Sequence, residues 1–233
     1  VGASRWISEM AKQSLLFAAA DHTVIPYPLE TDIYRPQDKL AARKLFNLPL
    51  DRKLVLFGAV GGAKDPRKGF DLLVEALKKL VGQRRDVDLV VFGNQDDRLF
   101  ADLGLPCHSV GILRDDYSLA MLYSAADVVA IPSRIDNLPQ IALEAQCCGT
   151  PCVAFRVGGI PDIIEHHRTG FLAQPYSTDE LAAGMNWTLN HRDGAGELAD
   201  QTREIAGVKW NQEKVGHQYL ELLNRLAAQG KHQ

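Results

Sequence analysis

The sequence predicts an α/β protein whose parallel sheet is covered by helices on both faces. Short, continuous apolar runs alternate with amphipathic helical segments along most of the 233 residues, and such runs are typical of strands buried on both faces. Strands are predicted at 53–58, 88–93, 107–111, 127–132, 151–155 and 170–173. The alternation predicts a Rossmann-like, doubly wound domain, in which ligands bind at the carboxyl ends of the strands, near the point where the strand order reverses.

Helices are predicted between these strands and at both ends of the chain. Ser4 can cap a first helix over 5–20, and a proline-bearing connector then runs to Pro36. The remaining helices are expected at 38–46, 69–81, 97–103, 117–126, 139–148 and 161–166, with two or three more between 178 and 228. We therefore divide the chain into residues 1–36 (a helix and a connector), a Rossmann-like domain at 37–208 and a C-terminal helix at 209–233.

Composition and charge exclude several classes of protein. The net charge is −3 with the signs interspersed, so the sequence has no basic field of the kind that binds nucleic acid. No apolar run approaches the roughly 20 residues that span a bilayer. The four cysteines lack metal-type spacing and are expected to be reduced core thiols in the cytoplasm, and neither a metal site nor redox chemistry is predicted. Because Val1 is not an initiator methionine, we expect the chain to begin inside a longer protein.

The loop after the fourth strand carries two carboxylates, Asp136 and Glu144, around the predicted start of a helix. Pro139 suits the first helical position, and Gly149 suits the position just past the helix end. Free amides at a helix start attract an anion such as a diphosphate, whereas the two acids would hold neutral hydroxyl groups or a cation. A nucleotide-sugar would satisfy both demands, although each acid taken singly is better explained as a turn residue or a solvated helix position.

The loop after the first strand offers Gly61, Gly62 and two adjacent cations, Arg67 and Lys68, at the entry to a helix. This loop could cradle a phosphate, although the cation pair alone would be read as solvated. It lacks both the GxxxxGK[ST] spacing of a P-loop and the GxGxxG order of a dinucleotide site, so neither of those sites is predicted.

A third loop places Gly158 and Gly159 before another proline-started turn. Paired glycines allow the backbone to approach a ligand closely, and they also suit a plain strand-to-helix turn. The sequence leaves these two interpretations open.

Together these motifs resemble the carboxyl-terminal, donor-binding domain of the family 4 retaining glycosyltransferases, which have the two-domain GT-B fold. The most specific element is the spacing of seven residues between Asp136 and Glu144, inside Pro-Ser…Glu-Ala…Cys-Gly-Thr-Pro. The resemblance covers nearly the whole chain and includes Ser4-Arg-Trp-Ile, Val24-Ile-Pro, Arg67-Lys-Gly-Phe, Tyr123-Ser-Ala-Ala-Asp127, Gly158-Gly-Ile-Pro-Asp and the helix of Trp210.

The resemblance implies a role for each matching position of the donor site. Glu144 would accept hydrogen bonds from the ribose hydroxyls of the nucleotide, and Asp136 would lie near hydroxyls of the transferred sugar. The backbone amides of Asn137 and Leu138 would help to hold the sugar or the diphosphate. The other donor-binding positions that the resemblance implies are Gly61, Gly62, Asn94 and Pro139.

The resemblance also implies that Lys68 neutralises the charge that develops on the leaving diphosphate, and it counts Arg67 among the catalytic residues. Two positions depart from the family pattern. Ala59 stands where an arginine usually follows the first strand, so either Arg67 supplies the missing cation or diphosphate binding is weaker. Asp136 replaces the usual glutamate, a shorter acid that accepts hydrogen bonds in the same way.

The implied function is transfer of a hexosyl-type sugar from a UDP-, GDP- or ADP-linked donor to an acceptor hydroxyl. The transfer would retain the anomeric configuration of the sugar and would require no cofactor. The resemblance implies that residues 1–36 are the last helix of the amino-terminal domain and the connector between the two domains. The amino-terminal domain would bind most of the sugar or lipid-linked acceptor, and residues 209–233 would pack back toward it. This chain alone is therefore expected to be inactive. The family association suggests a role in bacterial polysaccharide or lipopolysaccharide synthesis in the cytoplasm. It also allows peripheral contact of the full-length protein with the inner face of the membrane.

Three alternatives remain open from the sequence. A nucleotide-sugar epimerase shares the GT-B fold, but the paired acids and the Arg-Lys-Gly loop favour sugar transfer. A non-catalytic nucleotide-sugar-binding module is supported by Ala59. A purely structural interaction domain would leave three functional-looking loops at one edge of the sheet unexplained.

Overall fold

In the computed structural model, which describes residues 1–59, 65–93, 100, 103–191 and 197–230, the described strands form one parallel sheet. The strands are β1 (Lys53–Ala59), β2 (Val87–Gly93), β3 (Cys107–Gly111), β4 (Val128–Ile131), β5 (Cys152–Phe155) and β6 (Gly170–Ala173). Their spatial order is β3-β2-β1-β4-β5-β6, and each neighbouring pair is parallel. The six predicted strands are confirmed, and the strand order reverses between β1 and β4.

Helices cover both faces of this sheet, as predicted. They are α1 (Arg5–Lys12), α2 (Lys39–Leu45), α3 (Phe70–Gln83), α4 (Asp116–Ala125), α5 (Gln140–Cys147), α6 (Thr178–His191), α7 (Glu197–Lys209) and α8 (Gln212–Gly230). The last three helices correspond to those expected between 178 and 228. The domain boundaries at 36 and 208 stay predictions.

Two hydrophobic cores lie on opposite faces of the sheet because successive strand residues point in opposite directions. In β1, Leu54 and Leu56 belong to the core that also contains residues of α4 and α5. Val55 and Phe57 belong to the core that contains residues of α3 and α6. This alternation explains why β1 is apolar at consecutive positions. The parallel pairing of β1 with β4, in which Val55 lies opposite Val128, makes both strands end at the same edge of the sheet.

Two predicted helices are wrong in extent. Helix α1 ends at Lys12 rather than near residue 20, because the Ser14 hydroxyl donates to the Ala11 carbonyl at 2.8 Å and accepts from the Phe17 amide at 3.1 Å. Such local side-chain bonds compete with the helical ladder. The segment 161–166 forms only a 3-10 turn at Ile160–Asp162, after which the Thr169 hydroxyl accepts from the Glu165 amide and redirects the chain. The predicted helix at 97–103 lies largely outside the described residues.

The four cysteines are all free thiols, as expected, and three of them are buried: Cys147, Cys148 and Cys152. Burial raises the pKa of Cys147 to about 12, so this thiol stays protonated at neutral pH. None of the described helices combines the length and the apolar character that crossing a bilayer requires.

Candidate functional site

The loops that follow β1 and β4 contact each other at the point where the strand order reverses. Gly69 has a left-handed backbone (φ +64), and a Cβ at this position would lie 2.0 Å from the Pro132 carbonyl oxygen. The Arg134 amide donates to the Arg67 carbonyl at 2.7 Å. Only glycine permits so close an approach in this conformation, and the contact brings the residue before it, Lys68, to the loop after β4.

Two of the residues singled out in the sequence form an ion pair at this edge of the sheet. The Lys68 Nζ lies 2.8 Å from the Asp136 Oδ2, and the two side chains are 38% and 16% exposed. A cation and an acid therefore stand side by side, open enough to solvent for a ligand to reach both. Where a ligand carries both a phosphate and hydroxyl groups, the cation can take the phosphate and the acid the hydroxyls.

Arg67 is not part of this ion pair in the structure. Its guanidinium contacts Asp65 at 2.9 Å and is 74% exposed. The suggestion that Arg67 replaces a cation missing at Ala59 therefore stays a prediction. Gly61, Gly62 and Asn94 lie outside the described residues.

The second predicted acid, Glu144, lies on the partly buried side of α5 and accepts a hydrogen bond that the sequence analysis missed. The Tyr123 hydroxyl donates to the Glu144 Oε2 at 2.6 Å. Burial raises the pKa of Glu144, the Tyr123 bond lowers it, and the nearby Asp116 carboxylate raises it. The motif Tyr123-Ser-Ala-Ala-Asp127 was recognised in the sequence, but a tyrosine on an amphipathic helix gave no sign of contact with an acid.

The amino terminus of α5 faces the same region. Pro139 precedes the helix and makes no side-chain cap. Within the part of the chain that the structure describes, the backbone amides of Asn137 and Leu138 donate to no protein acceptor. Such amides, with the partial positive charge of a helix start, form a site that favours an anion.

The amino-terminal segment of the chain supports this loop from behind. The Ser4 hydroxyl, on a residue with no exposed surface, donates to the Asn137 Oδ1 at 2.6 Å. The Arg5 side chain pairs with Asp162 at 2.7 Å. The sequence analysis used Ser4 as a helix cap and as part of the Ser4-Arg-Trp-Ile segment, and it missed this contact with a residue 133 positions away.

The glycine pair of the third loop packs against the acid-bearing loop rather than against open space. A Cβ at Gly158 would lie 1.9 Å from the Asp136 carbonyl oxygen, and one at Gly159 would lie 1.8 Å from the Asn137 carbonyl oxygen. The Gly159 amide also donates to the Asp136 carbonyl at 3.0 Å. The two glycines therefore serve a close approach between two protein loops, which neither of the two interpretations of the sequence included.

A small cavity lies where these parts meet. Its lining includes Gly58, Lys68, Pro132, Ser133, Pro139 and Ile141. A larger surface groove lies elsewhere, beside α7 and α8. We place the candidate site at this edge of the sheet because ligands of doubly wound sheets bind at the carboxyl ends of the strands. Lys68 and Pro139, at the uncapped start of α5, both line the small cavity, and Lys68 pairs there with Asp136.

The fold is that of a doubly wound α/β protein of the Rossmann type, and its candidate site lies at the switch point between β1 and β4. The sequence profile described as "Glycosyl transferases group 1" matches residues 39–207. The chain therefore belongs to the group 1 glycosyl transferases, which confirms the resemblance drawn from the sequence.

The curated relatives are named as glycosyltransferases. The chain is 35% identical over 193 residues to the D-inositol 3-phosphate glycosyltransferase of Mycobacteroides abscessus, a match that covers 78% of this chain and 42% of that protein. The enzyme of the same name from Mycobacterium tuberculosis is 32% identical, with 77% and 39% covered. The chain thus spans about two fifths of the length of these relatives.

Solved structures show the same architecture. The sucrose-phosphate synthase of Thermosynechococcus elongatus has a TM-score of 0.82 and 27% identity, over 97% of this chain and 58% of that one. The Anabaena protein HepE, solved in complex with UDP, has a TM-score of 0.75 at 23% identity, over 87% and 57%. The second likeness shows the fold alone.

Proposed function

We propose that this chain is the donor-binding part of a retaining glycosyltransferase and holds a nucleoside diphosphate sugar at the switch point between β1 and β4. The observation that carries the proposal is the Lys68–Asp136 pair at 2.8 Å, set beside the uncapped start of α5. A diphosphate would take over Lys68 and accept from the backbone amides of the loop, and this would release the Asp136 carboxylate to the hydroxyls of the sugar.

The two acids divide the donor between them in this proposal. Glu144, partly buried on α5, accepts from the ribose hydroxyls, and Asp136 accepts from the transferred sugar. Lys68 stabilises the negative charge that grows on the diphosphate as the sugar leaves. Such electrostatic stabilisation of a departing group is the dominant catalytic contribution in many enzymes.

The remaining parts of the proposal rest on the family resemblance. They are a hexosyl group, retention at the anomeric carbon, no required cofactor, and an acceptor bound mainly by an amino-terminal domain. They also include a cytoplasmic role in polysaccharide or lipopolysaccharide assembly. In this view the chain alone binds nucleotide and transfers little or no sugar.

Calorimetric titration tests donor binding directly. UDP, GDP and ADP are each added to the wild-type chain and to Lys68→Ala and Glu144→Ala, with UDP first because HepE was solved with it. Lys78→Ala, on the exposed side of α3, is the matched control for the loss of a lysine. We expect one nucleotide to bind selectively and both site variants to weaken it by about tenfold or more, since each loses a charge-assisted hydrogen bond.

The outcomes separate the candidate functions. No binding of any nucleotide to a folded wild-type chain would contradict the proposal. Equal weakening by Lys78→Ala would mean that general electrostatics, rather than the site, carries the binding. Incubation with UDP-glucose and a sugar acceptor tests the predicted inactivity, because a glycosylated product made by this chain alone would overturn that part.

A further inference from the structure

Tyr123 is a nearly fully buried side chain whose hydroxyl reaches one oxygen of Glu144. It is 1% exposed, and its hydroxyl donates to the Glu144 Oε2 at 2.6 Å. A buried hydroxyl that donates to a partly buried carboxylate is one of the stronger hydrogen bonds in proteins. The family resemblance includes Tyr123 only as part of the Tyr123-Ser-Ala-Ala-Asp127 motif and implies no role for its side chain.

The ring of Tyr123 is held so that this hydroxyl has little freedom. Phe92 meets it edge to face, with ring centroids 6.1 Å apart and planes at 82°. Tyr34, from the connector, approaches it with centroids 6.4 Å apart. The Thr150 hydroxyl donates to the Tyr123 backbone carbonyl at 2.7 Å, so both the ring and the main chain of this residue are fixed.

We propose that Tyr123 is a positioning residue: its hydroxyl occupies the Oε2 of Glu144 and keeps Oε1 for the 2′ and 3′ hydroxyls of a nucleotide ribose. The inference rests on the proposed function, in which Glu144 accepts hydrogen bonds from the ribose hydroxyls, and it adds the residue that orients the Glu144 carboxylate. One carboxylate oxygen has two lone pairs and can accept from both hydroxyls of a vicinal diol. A carboxylate fixed at its other oxygen meets the diol without loss of side-chain freedom on binding.

The charge of Glu144 depends on the same contact. Burial and the Asp116 carboxylate both raise the pKa of Glu144, and the Tyr123 hydrogen bond lowers it. Asp116 is itself held by the Tyr34 hydroxyl at 2.9 Å. The other titratable groups that face this cluster are Tyr34, Cys147 and Cys148, whose pKa values are raised mainly by burial, so they are neutral at pH 7. Tyr123 is therefore the group that favours an ionised Glu144, and Asp116 opposes it.

Discrimination between ribose and deoxyribose tests the inference. UDP, GDP and ADP are titrated calorimetrically against their 2′-deoxy counterparts. We expect Tyr123→Phe to weaken the preferred ribonucleotide by about tenfold and to reduce its advantage over the deoxynucleotide, because the diol loses an oriented acceptor. The same change in a Glu144→Gln background should have little further effect. Tyr34→Phe removes a hydroxyl bonded to Asp116 and is the matched control, with discrimination retained.

A second measurement does not need a ligand. The side-chain carboxyl of Glu144 is titrated by carbon NMR, and the resonance is assigned by its absence from Glu144→Gln. We expect Tyr123→Phe to raise the pKa of Glu144 and Asp116→Asn to lower it. If Tyr123 only filled space, Tyr123→Phe would leave the pKa of Glu144 unchanged, whereas Asp116→Asn would still lower it.

The results distinguish this inference from the function on which it depends. If no nucleotide binds the wild-type chain, the proposed function fails and this inference with it. If nucleotides bind, but Tyr123→Phe keeps both the full ribose preference and the wild-type pKa of Glu144, the inference alone is overturned. Loss of preference in Tyr34→Phe as great as in Tyr123→Phe would also overturn it.

Discussion

Gly159→Ala is expected to displace the loop that carries Asp136 and Asn137 through steric contact alone. The new Cβ would lie 1.8 Å from the Asn137 carbonyl oxygen and 2.6 Å from the Ser4 side chain. Gly159 has φ −91, a value that alanine adopts without strain. The substitution therefore isolates the effect of the added methyl group from any effect on backbone conformation.

The size of the effect can be worked from these distances. The 1.8 Å separation is about 1.6 Å short of the 3.4 Å at which ordinary van der Waals contact begins. The obstacle is a backbone carbonyl, which cannot rotate away as a flexible side chain could. We expect the free energy of unfolding to fall by about 1–3 kcal/mol, as for other overpacked sites. Nucleotide affinity should fall as well, because the displaced loop carries Asp136 and the backbone amides of Asn137 and Leu138, which the proposed donor site uses.

Urea unfolding, and calorimetry with whichever of UDP, GDP and ADP the wild-type chain binds, measure the two effects of Gly159→Ala. Gly216→Ala is the matched control, since a Cβ there has nothing within 4 Å and alanine in the middle of α8 should stabilise by about 0.5–1 kcal/mol. The reasoning fails if the free energy of unfolding of Gly159→Ala lies within about 0.5 kcal/mol of the wild-type value and the variant binds the preferred nucleotide equally well.

Three further substitutions give separate expectations. Lys68→Gln should weaken binding of the preferred nucleotide about tenfold yet change the free energy of urea unfolding by less than about 1 kcal/mol, because its ion pair is partly exposed; a larger stability loss would contradict this. Glu144→Gln should lose affinity for the preferred nucleotide and gain stability at pH 7. Burial raises the pKa of Glu144 above its ordinary value of 4.5, so the folded wild-type chain loses stability as the pH rises from about 4.5 through the raised pKa. Thermal unfolding at pH 4 and pH 7 should therefore show the stability gain of Glu144→Gln only at pH 7. Asp127→Asn should cost about 3–5 kcal/mol in urea unfolding, because it leaves the buried Arg43 guanidinium, now 2.8 Å from Asp127, without its counter-charge; the exposed Asp179→Asn should cost little.

The strands were predictable because burial on both faces demands continuous apolar residues. Consecutive Leu54, Val55, Leu56 and Phe57 show this requirement directly. The end of α1 was not predictable from periodicity, since one hydroxyl, that of Ser14, bonds to the backbone locally and ends the helix. Propensity and pattern describe averages over a segment, whereas a single side-chain bond decides where that segment stops.

The sequence singled out the candidate residues of the site but not their contacts with one another. Lys68 and Asp136 were chosen from loops and Glu144 from a predicted helix, because parallel strands bring their carboxyl ends, with the loops and helix starts that follow, to one edge of the sheet. The Lys68–Asp136 pair and the Tyr123 bond to Glu144 depend on the exact approach of separate loops and helices. Nothing in local composition encodes such distances.

Because Ser4 and Arg5 contact Asn137 and Asp162, the amino-terminal segment of the chain is part of the structure that supports the candidate site. Their partners lie 133 and 157 residues further along the chain, and both residues precede the segment matched by the family profile, which begins at 39. The family profile covers only the residues that many relatives share, 39–207. A chain trimmed to those residues would retain Lys68, Asp136 and Glu144 but would lose the contacts of Ser4 and Arg5. We therefore expect the shortest chain that keeps these loops in place to be longer than the profile match.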